Sequence, residues 1–177
     1  DLADKYGFNL VTGSDCEIIL LLFKKFGIEK TVKELDGVFM FVIHEANTGL
    51  LFAGRDPMGV RPGFVGRDGN EIMIASEVKP MVNYCSDIIP FSPGNWWCSD
   101  TPDTFNPYFQ YNGIKIQEHS EEDICDKIRS LLTNAVKKRL MTEREIGCLL
   151  SGGLDSSLIC ALVNKYYEGP KLNTFSI

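Results

Sequence analysis

Apolar residues cluster first from Ile18 to Phe23 and again at Phe26, a run dense enough for a buried helix that stops at Gly27. Ahead of it, Thr12-Gly13 reads as a turn, and Ser14-Asp15-Cys16-Glu17 has the S-x-x-E spacing of a capping box. Ile28 to Leu35 predicts a second short helix closed by Asp36-Gly37. Four strand-like runs follow, Val38 to Ile43, Leu50 to Ala53, Gly63 to Val65 and Glu71 to Ala75. Asn47-Thr48-Gly49 and Arg67-Asp68-Gly69-Asn70 between them are turn material. A helix followed by antiparallel strands predicts an α+β layered domain. Ser76 to Val82 reads as one more helix, weakened by Pro80.

From Ile89 to Ile116 the chain is rich in Pro, Asn, Asp and aromatics, and its later part, 99–117, reads as a linker. The pattern then changes. Ile124, Ile128, Leu131, Leu132, Ala135, Val136 and Leu140 fall at helical spacing between Glu118 and Met141. Ile146 to Leu150 predicts a strand, Ser156 to Tyr167 a helix and Thr174 to Ile177 another strand. That order is a βαβ unit of a parallel α/β sheet. The expected organisation is therefore an α+β layered domain over 1–98, a linker over 99–117 and the start of an α/β parallel-sheet domain over 118–177.

Composition narrows the function classes. In 177 residues, 44% are hydrophobic and 24% charged, which fits an ordinary globular protein. The formal net charge of -6 repels phosphate backbones, so no nucleic acid is expected as a partner. Any bound polyphosphate should be held by backbone N–H groups and a metal. No apolar run is long enough for a bilayer and no secretory signal opens the chain, so no membrane partner is expected. The six cysteines form no C-x-x-C pair, and only His44 and His119 accompany them, which argues against a zinc site. Cys16, Cys148 and Cys160 sit in or beside apolar runs, where a thiol acts as a small core hydrophobe in a reducing, cytoplasmic setting. The chain opens at Asp1 without an initiator Met and closes on a β-like run. It is expected to be an internal piece of a longer protein.

The chemistry concentrates in Ser151-Gly152-Gly153-Leu154-Asp155-Ser156-Ser157, between the expected strand and helix. Two glycines let the backbone approach a phosphate closely and adopt φ > 0. The helix that follows directs its free N–H groups and positive dipole end at the same place. Ser151, Ser156 and Ser157 add hydroxyl donors. The loop lacks the G-x-x-x-x-G-K-[ST] layout and any lysine, so it is not a Walker A loop. Asp155 beside phosphate is repulsive unless Mg²⁺ or a basic group compensates. It is equally placed to cap the helix, and the two roles stay open.

The S-G-G-x-D-S-S string after a hydrophobic strand resembles the pyrophosphate loop of the ATP pyrophosphatase family, whose members cleave ATP between the α- and β-phosphates. The longer string Gly147 to Ser157 is most similar to the asparagine synthetase version. Upstream, Thr12-Gly13-Ser14-Asp15-Cys16-Glu17, Asp36-Gly37-x-Phe39-x-Phe41, Gly54-Arg55-Asp56-Pro57-x-Gly59 and Ala75-Ser76-Glu77-x-Lys79 resemble the glutaminase domain of N-terminal-nucleophile amidotransferases, in that family's order. The resemblance implies an αββα glutaminase domain, its N-terminal part missing, followed by an ATP pyrophosphatase-type domain. It implies a ligase acting on glutamine, aspartate and ATP with Mg²⁺, forming asparagine through β-aspartyl-AMP, and it is compatible with a homodimer. The alternatives are a same-architecture amidotransferase or β-lactam-type synthetase with another acceptor, and a truncated, non-catalytic product.

Carried over residue by residue, the resemblance gives Asp15 the α-amino group of glutamine. Ser151, Gly152, Gly153, Asp155, Ser156 and Ser157 fall on the ATP loop. Leu150 falls on a position whose backbone contacts ATP, and Ile177 on an adenine-side position. Asp155 is also the candidate metal ligand. The family's nucleophile is a cysteine at the mature N-terminus. None of the six cysteines stands in that context, so no catalytic residue is assigned and the piece alone is expected to be inactive. Arg55-Asp56 reads as an ion pair or turn device, and Trp96-Trp97 as buried packing.

Overall fold

The computed structural model describes residues 2–111, 119–142 and 144–176. In the first of two units, Asp1–Ile114, a short helix α1 (Leu2–Tyr6) precedes α2 (Glu17–Glu34). The two helical runs expected from the sequence both lie in α2, and the break between them is Gly27, at φ 77° and ψ 177°. Only a residue without Cβ adopts such a φ readily. Thr31 Oγ1 donates to the Gly27 carbonyl at 2.8 Å and so satisfies an acceptor at the break. Leu22, Ile28, Thr31 and Val32 form the buried face of α2.

The four expected strands appear as β1 (Met40–Glu45), β2 (Leu50–Arg55), β3 (Phe64–Asp68) and β4 (Glu71–Ala75). Three more join them, β5 (Asp87–Pro90), β6 (Asn95–Cys98) and β7 (Phe105–Pro107). They form two antiparallel sheets, ordered β1-β2-β6-β7 and β4-β3-β5. Ala53 of β2 and Trp97 of β6 meet Val65 of β3 and Phe91 in one buried cluster, with Met40, Leu51, Ile72, Ile74, Ile89 and Phe105 packed around it. The inner faces of both sheets therefore share a core. By strand alternation Phe52 and Gly54 point the other way, against α2. There Phe52 meets Phe23 at 4.9 Å between ring centroids. A Cβ on Gly54 would fall 2.6 Å from Val32 Cγ1, so the absence of a side chain lets the helix close on the sheet. The first unit is thus a mixture of helix and antiparallel sheet with a helix on one face of a two-sheet core.

Two expectations for this unit are corrected. The stretch 99–117 is not a linker in its first part. β7 pairs with β6, matching Trp97 to Phe105. Trp97 Nε1 donates to the Pro102 carbonyl at 2.8 Å, and Tyr108 Oη donates to the Arg55 carbonyl at 2.7 Å. Pro107 suits an edge strand, where a missing N–H costs no ladder bond. Turn residues in a short edge hairpin imitate linker composition. Residues 112–117 of that stretch lie outside the described residues. The helix expected over Ser76 to Val82 is a series of turns, with Met81 N–H on the Val78 carbonyl and Cys85 N–H on the Met81 carbonyl, both at 2.9 Å. Pro80 has no N–H and disfavours helical backbone at Lys79. These turns still bury Met81, whose methyl, with Cys85 Sγ, occupies the space that a side chain at Gly66 would need.

Arg55 and Asp56 organise the crossing from one sheet to the other. The Asp56 carboxylate, 1% exposed, accepts the N–H groups of Phe39 (3.3 Å), Met58 (3.1 Å), Val60 (3.0 Å) and Arg61 (3.1 Å). Arg55 donates to the carbonyls of Arg61 (2.7 Å), Gly59 (2.8 Å) and Phe91. The pair is a turn device, with both charges spent on the backbone.

In the second unit, Lys115–Ile177, α3 (Glu121–Lys138) is capped by Ser120, whose Oγ accepts from Asp123 N–H at 3.1 Å. β8 (Gly147–Leu149), α4 (Leu154–Tyr166) and β9 (Asn173–Phe175) follow in the expected order, and β8 pairs parallel with β9. Among the described residues, no helix is long and apolar enough to cross a membrane.

Nothing lies within 4 Å of a Cβ built on Gly27, so Gly27→Ala isolates the backbone term. It should cost about 1–3 kcal/mol, read as a lower denaturant midpoint with an unchanged slope. A second expectation concerns Glu34, which binds Lys5 of α1 at 2.5 Å and Lys30 at 2.6 Å. Hydrogen bonds from Lys30, then Lys5, then Tyr6 pull its carboxyl from 4.5 down to about 2. A carboxyl lowered on folding stabilises the folded state above its ordinary pKa, and that contribution is lost as pH falls from about 4.5 to about 2. The protection of α1 amides, measured as exchange relative to the unstructured-peptide rate at each pH, should fall over that window, and Glu34→Gln should remove this pH dependence.

Candidate functional sites

In the first unit, Asp15 stands exposed on the turn entering α2, with Oδ1 3.6 Å from Cys16 Sγ. The expected capping box is not formed. Cys16 occupies the cap position and makes no side-chain cap bond. Glu17 turns back instead onto the loop before the helix. Its carboxylate accepts from Val11 N–H (2.8 Å), Thr12 N–H (2.7 Å) and Thr12 Oγ1 (2.6 Å). Thr12 Oγ1 also accepts from Ser14 N–H at 3.3 Å, and Ser14 Oγ accepts from Cys16 N–H at 3.2 Å. The segment Val11–Glu17 is thus a ring of hydrogen bonds on which Asp15 is exposed. The Thr12 hydroxyl, followed by the Val11 and Thr12 amides, holds the Glu17 carboxyl below its ordinary range. Cys16 is exposed, which corrects its reading as a core thiol, because the helix begins at the surface. Cys148 and Cys160 are half-buried, and burial first, then Cys160, raises the Cys148 thiol.

In the second unit the loop between β8 and α4 brings its serines together. Ser151 Oγ and Ser156 Oγ are 2.9 Å apart, and Ser156 Oγ donates to the Gly153 carbonyl at 3.1 Å. Gly152 adopts φ +82°, the left-handed backbone that the glycine pair was expected to supply. Gly153 is the N-cap, and Ser157 N–H makes the first helical bond to its carbonyl at 3.1 Å. The N–H groups ahead of Ser157 have no carbonyl within the helix to bind, and they face the loop with the positive end of α4. Asp155 is an exposed first-turn residue two positions past the cap. The capping alternative for Asp155 is therefore corrected: a helix has one N-cap, and Gly153 fills it. Leu150 is half-buried, and its N–H donates to the Phe175 carbonyl at 2.8 Å, closing the parallel pair. Ile177 lies outside the described residues. Among those described, no group of three or more His, Cys, Asp or Glu side chains could hold a metal.

The sequence singled out Asp15 and the serine-glycine loop. It missed the work of Thr12 and misread Glu17. A hydroxyl residue five positions ahead of an acidic helix start was the available signal, but a capping box has the same acidic residue.

Residues 1–83 match the glutamine amidotransferase domain family and residues 127–177 the asparagine synthase family. The chain is 37% identical to rat asparagine synthetase [glutamine-hydrolyzing] over 99% of its own length and 36% of the relative's. It is 37% identical to the human enzyme over 97% of its length, and 35% identical to asparagine synthetase B of Escherichia coli (strain K12) over 94%. It spans 36% of the human relative and 30% of the bacterial one. Among solved structures, a glutamine phosphoribosylpyrophosphate amidotransferase from B. subtilis matches 99% of this chain and 41% of its own, with a TM-score of 0.53 and 18% identity, a likeness of fold. The chain thus carries a segment matching the amidotransferase domain family followed by one matching the asparagine synthase family, and along nearly its whole length it is similar to glutamine-hydrolysing asparagine synthetases.

Proposed function

We propose that the full-length protein carrying this chain makes asparagine from aspartate, ATP and glutamine. Ammonia released from glutamine in the first domain displaces AMP from a β-aspartyl adenylate formed in the second. What supports this reading is the order of two matched families in one chain, together with the position of Ser151–Ser157, inside the second match, between a parallel strand and a helix N-terminus. The same reading makes the first unit part of an αββα glutaminase domain and β8-α4-β9 the opening of an ATP pyrophosphatase-type domain. The six free cysteines suit a reducing cytosol.

Each site then has a chemical task. The Asp15 carboxylate pairs with the α-ammonium of glutamine through a charge-assisted hydrogen bond. The uncommitted N–H groups at the start of α4 hold the β- and γ-phosphates, helped by the hydroxyls of Ser151, Ser156 and Ser157. Ser151 and Ser156 give up their mutual bond to do so. Because the Leu150 N–H is already bound to Phe175, a main-chain contact from Leu150 to the nucleotide uses its carbonyl. Ile177 lines the adenine side. Asp155 is the one carboxylate within Ser151–Ser157, which suits Mg²⁺, an ion usually held by one or two carboxylates together with substrate phosphates. Bound there, Mg²⁺ neutralises charge on the departing pyrophosphate.

With Mg²⁺-ATP, aspartate and ammonia, the protein should form AMP and pyrophosphate in equal amounts. Release of ADP and phosphate overturns the loop assignment. For Asp155, Asp155→Asn removes the charge without touching the cap, so stability should change by no more than about 0.3–1 kcal/mol of helix-dipole interaction. Adenylation, followed by pyrophosphate exchange, should fall at least about tenfold if a metal ligand is lost. A fully active variant removes Asp155 from the metal and phosphate site.

A further inference from the structure

We propose that Glu17 is a positioning residue for glutamine, acting through Asp15 by holding the Val11–Ser14 turn closed. The proposal rests on the reading of Asp15 as the contact for the α-ammonium. Asp15 is exposed and lies on the turn between residues 11 and 17, so its direction depends on that turn. One carboxylate closes the turn by accepting three hydrogen bonds of 2.6–2.8 Å from Val11 and Thr12. The Thr12 hydroxyl passes the constraint on, donating to Glu17 and accepting from Ser14 N–H at 3.3 Å. Ser14 in turn accepts from Cys16 N–H at 3.2 Å, so the residues on both sides of Asp15 are fixed to the ring. Glu17 itself is the first residue of α2 and moves with that helix, which packs on β2 and β6. The ring thereby references Asp15 to α2 and, through it, to the sheet. A contact residue displaced by about an ångström loses much of its effect on a bound ligand.

The chemistry also selects glutamate here. Glu17 uses its two oxygens as acceptors only, facing two N–H groups and one O–H. Glutamine at this position would turn an NH₂ donor toward donors, and the ring would open. Thr12→Val removes the hydroxyl while keeping the shape, and Thr12→Ser keeps the hydroxyl.

The experiment is steady-state kinetics of the full-length protein with glutamine and, separately, with ammonia. Glu17→Gln and Thr12→Val should each raise KM for glutamine about tenfold with kcat little changed. Thr12→Ser should restore the wild-type KM, and ammonia-dependent synthesis, which bypasses the turn, should not move. Combined with Asp15→Asn, which should itself raise KM, Glu17→Gln should add almost nothing. If Asp15→Asn raises KM but Glu17→Gln leaves it unchanged, or raises it as much in the Asp15→Asn background, positioning by Glu17 is overturned while the Asp15 contact stands. If Asp15→Asn leaves KM unchanged, the Asp15 contact itself fails and this proposal with it. Equal losses with glutamine and ammonia for both Glu17→Gln and Thr12→Val overturn the proposal as well, since that is the pattern of a general fold defect.

Discussion

A buried carboxylate is tolerated only when hydrogen-bond donors replace its water, and Asp56 meets that condition wholly with backbone amides. Its four N–H partners come from Phe39, ahead of β1, and from Met58, Val60 and Arg61, in the turn between the sheets. Its own carbonyl accepts from Gly59 at 3.1 Å and from Gly94 at 3.0 Å. Arg55 binds the same turn from the other side and reaches Phe91, a member of the shared core. Remove either charge and the segment joining β2 to β3 loses the side-chain partners of its backbone N–H and C=O groups. The placement of Val65 over Ala53 and Trp97 rests on that segment.

That constraint also explains where rigidity and access lie. The sheets are fixed from within by Ala53, Val65, Phe91 and Trp97, all nearly or fully buried. The groups with chemistry to offer stand at the ends of elements, Asp15 ahead of α2 and Ser151–Ser157 between β8 and α4. Element ends leave unpaired N–H groups and exposed carboxylates, so they can meet a polar ligand without desolvating the core. Each end still needs local restraint. The first unit uses the Glu17 ring. The second uses the Ser151–Ser156 bond and the left-handed backbone at Gly152.

Both sites fit the enzyme proposed for the parent protein in kind. The glutamine end needs a fixed negative charge for an ammonium. The nucleotide end needs backbone donors for phosphate, and a chain of net charge -6 has little other means of attracting one. One carboxylate at the first turn of α4 is the right count for a metal shared with phosphate.

Local pattern alone determined a good part of this molecule. The helical runs and their break at Gly27, the strands β1 to β4 and the strand-loop-helix-strand order of the second unit were all legible. Each is set by periodicity or by a residue with a single conformational advantage. The loop backbone at Ser151–Ser157 was legible because a left-handed turn ahead of a helix favours a residue without Cβ, which glycine encodes locally. What only tertiary structure decided were matters of partnership. β7 looked like linker until β6 supplied its ladder bonds, and the turns after Ser76 replaced a helix because Pro80 allowed a buried Met81 without one. Glu17 had the spacing of a capping box, yet its carboxylate found Val11 and Thr12, and Asp155 lost the cap to Gly153. A sequence records which donors and acceptors exist, but which of them meet is settled only when the chain closes on itself.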